Sequence, residues 1–348
     1  MFSKYKFLPE AETGFLSEQN TKKYFSRFGF SVFGCCLAIE ASAFLLSTLF
    51  SFLVQSLFPW MKENATAMGI VNNLFSLICI YAVGLPVFLW ISSPLPRLTP
   101  IKEKMKPAAM LGSFCVAVLL MNVGNYISNV IIINLEALLD TTTQNPVSEA
   151  INSTTVWVTV AFTVIIAPLL EEIFFRKIVC DKLLPLGEGY AILISAVVFG
   201  LIHGNLYQFA YAFLLGALFG FIYVKTGKLI YSIVLHSAIN LMGSVIAPAI
   251  FKMIDLEELE HMLSTGTVDP NSPIMQPLAI LGGYEMLIIA VSAVGISLLV
   301  KAKKRGDLAL DAGILPPPKE GRVANVLCTV GIAASITYFV FAFLVSLL

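Results

Sequence analysis

Nine apolar runs leave this 348-residue chain few ways to fold. They cover roughly Phe28–Leu57, Gly69–Ile91, Ala108–Leu135, Val156–Val179, Tyr190–His203, Leu206–Val224, Leu229–Ile250, Pro277–Val300 and Val323–Leu348. A bilayer core takes about 20 apolar residues per helix. Inside it the backbone must satisfy its own polar groups, which helices do within one segment. The chain is 57% hydrophobic and 13% charged, against about 45–50% and about 25% in soluble domains. So large an apolar excess needs lipid to solvate it. The fold class that follows is all-α, a polytopic transmembrane helical bundle of about nine spans in the cell membrane. Tyr190–His203 is short and is expected to be a broken or partial span.

Basic residues orient the spans, because Lys and Arg gather on the cytoplasmic side. Assigning alternate loops to that side collects 20 of the 22 Lys and Arg, and only Lys62 and Lys252 fall opposite. The N-terminus is therefore expected to be cytoplasmic. Four regions follow: a tail over 1–27, helices over 28–150, a polar-bearing core over 151–250, and C-terminal helices over 251–348. The loop 301–322 carries Pro316, Pro317 and Pro318, expected to act as a semi-rigid linker before the last helix. Net charge is zero, which suggests no nucleic-acid partner. The six cysteines lack metal or disulfide spacing and read as packing residues.

Ionisable groups within spans are expensive and point to function. They are Glu40, Glu171, Glu172, His203, His236 and Glu285. Glu172 and Arg176 are four apart and share a helix face. That leaves Glu171 the freer carboxylate, and a desolvated carboxylate suits a general base. Pro168 weakens the helical ladder just before the pair. His203 heads an H-G-N triplet that breaks a hairpin at depth, where irregular backbone survives only against protein or water. His236 and Asn240 share a face at i, i+4. Each set alone also fits helix packing. Together they can activate a water and stabilise an oxyanion, or hold zinc through Glu171, His203 and His236. Glu40 and Glu285 read as packing or cavity-edge acids. Gly216 and Gly220 form a small-xxx-small pair for close helix approach.

The ordered motifs Glu171-Glu172-x-x-x-Arg176, Phe199-x-x-x-His203 and His236-x-x-x-Asn240 resemble the CAAX prenyl protease and bacteriocin-processing family of intramembrane endopeptidases. The resemblance covers about residues 155–245. It implies that Glu171 acts on water with His203 assisting, and that His236 and Asn240 stabilise the oxyanion. It also implies that Glu172 and Arg176 support and position Glu171. Whether the site works without a cofactor or with zinc stays open at this point. The expected substrate is a membrane-associated peptide or protein. The competing readings are a non-catalytic bacteriocin-immunity or partner-binding protein of the same family, and a proton-coupled transporter.

One geometric requirement follows. His203 lies roughly 20 Å along its helix at 1.5 Å per residue, whereas Glu171 is expected nearer the cytoplasmic end. The two meet only if the fifth span starts below the interface, tilts, or ends at mid-depth. The expected result is a cavity open to the cytoplasm with His203 at its floor.

Overall fold

The computed structural model describes residues 5–7, 21–145, 154–267, 269–315 and 326–345. The Pro316–Pro318 linker and most of the 1–27 tail lie outside these residues.

The described chain is helical, apart from two three-residue strands, β1 (Tyr5–Phe7) and β2 (Leu98–Pro100), paired antiparallel. The long helices are α1 (Thr21–Ser56), α2 (Thr66–Ser92), α3 (Pro107–Leu139) and α4 (Val156–Leu186). A shorter apolar helix, α5 (Glu188–Leu201), leads to α6 (Leu206–Thr226) and α7 (Leu229–Phe251). Then come α8 (Leu256–Thr265), α9 (Met275–Arg305) and α10 (Val330–Val345). Seven of these are long and apolar enough to cross a membrane, and α5 and α10 are shorter apolar helices. The nine apolar runs thus each become a helix, and the chain is a multi-pass integral membrane protein. The exception to the pattern is α8, an amphipathic helix in the acidic 251–276 segment, capped by Asp255 Oδ1 accepting from the Glu257 and Glu258 N–H groups.

The polar core is built by α4 to α7. α6 packs between α5 and α3. Gly216 and Gly220 permit this, since a Cβ on Gly216 would stand 3.0 Å from Phe199 and one on Gly220 3.5 Å from the Ile192 backbone. On the opposite face of α6, a Cβ on Gly124 of α3 would reach 2.2 Å from Tyr211 Cα. α7 packs along α4. α10 lies on α1 where Gly29 meets Gly331, and Ser335 Oγ donates to the Gly29 carbonyl at 2.8 Å. The last helix therefore packs on the first instead of standing apart. Residues before the Pro-rich linker also dock: the Glu188 N–H donates to Asp311 O at 3.1 Å and the Leu315 N–H to Pro185 O at 2.8 Å.

α4 runs seven residues beyond the apolar run that ended at Val179. Its last turns hold Arg176, Asp181 and Lys182, all buried. Arg176 is thus an interior residue, ten positions before the end of the helix. Partners make the burial tolerable. Lys182 Nζ donates to the Ser92 carbonyl at 2.7 Å. Asp181 accepts from Thr99 at 2.6 Å, Lys177 at 2.7 Å and Tyr223 at 2.7 Å. The extension also meets the depth requirement. Gly187, at φ +123°, turns α4 into α5. Glu171 precedes Gly187 by 16 residues and His203 follows it by 16. Equal rise along two antiparallel helices puts both at one level.

Candidate active site

α4 departs from regular winding on both sides of its two glutamates. Val160–Ile166 and Ile173–Cys180 are π-helical, and the intervening Ala167–Glu172 turn begins with Pro168 near its start. Pro168 lacks an N–H, and the wide turn before it accommodates the missing bond. α5 stops at Leu201, and Gly204 at φ +67° redirects the chain. Asn205 then caps α6 by accepting from the Gln208 N–H at 3.0 Å. The predicted H-G-N break is this turn.

A cavity of about 260 Å³ lies between α2, α4, α6 and α7 and the end of α5. Glu171, Phe199, His203, His236 and Asn240 all line it. Glu172 and Arg176 stand behind this wall with fully buried side chains, whereas the Glu171 side chain keeps 24% exposure. Glu171 is thus the carboxylate that meets the cavity.

The buried carboxylate has defined partners. Arg176 Nε donates to Glu172 Oε2 at 3.0 Å, and the His236 Nδ1–H donates to Glu172 Oε1 at 3.1 Å. Arg176 Nη1 donates to Ser195 Oγ at 2.9 Å, and Ser195 donates to the Phe175 carbonyl at 3.0 Å. The guanidinium lies over the Phe199 ring, 5.2 Å from its centroid. Glu172 and Arg176 therefore hold His236. Their hydrogen bonds do not run to Glu171, which the family resemblance implied they position.

His236 Nε2 points towards Glu171 Oε2 at 3.6 Å, beyond direct hydrogen-bond length. Phe219 stacks on the His236 ring at 5.3 Å, and Phe199 meets it edge-on at 5.7 Å. The second motif's Phe199 also packs edge-on against His203 at 5.1 Å. The Phe199 carbonyl accepts from His203 Nδ1 at 2.7 Å. A carbonyl only accepts, so His203 carries its proton on Nδ1 and Nε2 is the acceptor in the neutral ring. Asn240 Nδ2 donates to the Thr163 carbonyl at 2.9 Å. One further N–H of that amide remains.

The zinc alternative needs three ligands near 2 Å from one point. Among the described residues no three His, Cys, Asp or Glu side chains are grouped to hold a metal ion. Glu40 and Glu285 do not line the cavity. Glu40 instead accepts from Tyr338 of α10 at 2.9 Å. Gln208 and Tyr211 do line it, and nothing in their apolar surroundings in the sequence set them apart.

Comparison with known proteins finds a match over the segment that carries the three motifs. Residues 153–242 match the family model described as type II CAAX prenyl endopeptidase Rce1-like. Human CAAX prenyl protease 2 is 33% identical over 100 residues, covering 23% of this chain and 30% of the relative. The putative membrane peptidase YdiL of Bacillus subtilis (strain 168) is 32% identical over 108 residues, covering 31% of this chain and 40% of the relative. The UPF0177 protein YxdF of Lactococcus lactis subsp. lactis (strain IL1403) is 27% identical over 120 residues, covering 34% and 67%. The matched segment is thus less than half the length of the first two relatives. No solved structure matches the chain. The resemblance drawn from the three motifs is borne out over residues 153–242.

Proposed function

We propose that this chain, which carries an Rce1-like segment over residues 153–242, is an intramembrane endopeptidase acting on membrane-associated peptides or proteins. The observation behind this reading is that one cavity is lined by Glu171, His203, His236 and Asn240 together. Glu171 takes a proton from water, and His203 holds that water through Nε2. The hydroxide adds to the scissile carbonyl carbon. With both ring nitrogens protonated, His236 donates Nε2–H, and Asn240 its remaining N–H, to the resulting oxyanion. Glu172 balances charge on His236 through the Nδ1–H bond. Glu171 then returns the proton to the departing amine, and the peptide bond breaks. No metal enters this sequence.

The human relative, named CAAX prenyl protease 2, suggests the substrate class to try first. The test is cleavage by the full-length protein in detergent micelles. The probes are quenched fluorogenic peptides with and without an S-prenylated cysteine. Alanine at Glu171, His203, His236 or Asn240 is expected to abolish or severely reduce cleavage. Full activity in His203→Ala and His236→Ala would overturn the assignment.

A further inference from the structure

One wall of the cavity plays no part in these steps. Gln208 and Tyr211, on the first turns of α6, form it. Their hydrogen-bond directions are fixed by the backbone. The Gln208 N–H can only donate, so the Asn205 atom it meets at 3.0 Å is the amide oxygen. The Asn205 nitrogen then faces the His203 carbonyl, which can only accept, at 2.8 Å. The other hydrogen of that nitrogen goes to Gln208 Oε1 at 2.8 Å. With its oxygen so occupied, Gln208 presents Nε2–H to the Tyr211 hydroxyl oxygen at 3.0 Å. Flipping the Asn205 amide would set donor against donor at one backbone group and acceptor against acceptor at the other. Flipping Gln208 would do the same against Asn205.

Tyr211 therefore accepts from the protein, and its own proton has no acceptor among the described residues. That proton is left for whatever occupies the cavity. A peptide backbone offers a carbonyl oxygen, which only accepts. We propose that Tyr211 is a substrate-binding residue, its O–H donating to a backbone carbonyl oxygen of the peptide lying beside Glu171. Gln208 is the positioning residue that sets the direction of that bond. The inference rests on the peptidase reading and adds a contact to it.

The experiment uses the full-length protein in micelles with the same prenylated and unprenylated fluorogenic peptides. Tyr211→Phe removes the proton together with the oxygen that accepts from Gln208 Nε2–H, and keeps the ring. Gln208→Glu replaces a donor with a carboxylate that draws the Tyr211 proton away from the cavity. Each is expected to raise KM about tenfold, the effect of leaving one substrate carbonyl unpaired, with kcat nearly unchanged. The double variant should be no worse than either single one, because both act on one proton. Glu171→Gln is measured alongside. An unchanged KM in Tyr211→Phe with Glu171→Gln inactive overturns this inference and leaves the peptidase reading intact. A loss confined to kcat assigns the proton to Glu171 or its water, and overturns it too. Cleavage persisting in Glu171→Gln overturns both.

Discussion

His236 Nδ1 lies 3.1 Å from Glu172 Oε1, joining residues 64 positions apart. That one contact divides the two adjacent glutamates. Glu172 is consumed by Arg176 and His236, while Glu171 faces the cavity. An ordinary helix turns about 100° per residue, so neighbours cannot share a direction. Here the turn separates a buried anchor from an accessible carboxylate.

The anchor should matter for stability as well as activity. Glu172→Ala leaves Arg176 and its charge buried without a carboxylate. Breaking a buried pair from one side typically costs about 3–5 kcal/mol. A lowered midpoint of thermal unfolding in micelles and lost cleavage are both expected. A variant that melts with the wild type would contradict the buried network.

The tight α3–α6 crossing should also be felt at the site. A Cβ at Gly124 would sit 2.2 Å from Tyr211 Cα, so Gly124→Ala must push α6 away. Cleavage is expected to fall by about tenfold or more, since misplacing a wall of the site by about 1 Å is costly. Gly282→Ala on α9 meets nothing within 4 Å and is the control, expected to cleave like the wild type. Equal activities in the two variants would argue against the crossing.

Much of this arrangement is legible in the sequence, and the rest is hidden for definite reasons. The nine helices follow from hydropathy, because lipid rewards one feature above all. The i, i+4 spacing of Glu172 and Arg176 correctly freed Glu171. The apolar run ends at Val179 while α4 continues to Leu186, because Arg176, Asp181 and Lys182 interrupt the hydropathy without ending the helix. Their burial depends on Glu172, Tyr223 and the Ser92 carbonyl, and all but Glu172 lie far away in sequence. The His236–Glu172 bond, the Ser195 brace and the Tyr211 wall are likewise products of packing between helices. No local periodicity encodes them. The α8 helix is short and amphipathic, so no apolar run marks it.

Metal dependence separates the two chemistries the motifs allow. The proposed steps use only side chains of this protein, and cleavage is expected to survive dialysis against a strong chelator. Activity lost to the chelator and restored by zinc alone would overturn the metal-free mechanism.

The most direct test of the central claim is the cleavage rate of Glu171→Gln against wild type, in micelles, with folding checked by thermal melting. Gln keeps the shape of the side chain and removes its capacity to take a proton. Glu171→Gln is expected to melt like the wild type and to lose at least about a hundredfold in kcat. A folded Glu171→Gln protein that cleaves at the wild-type rate would contradict the account.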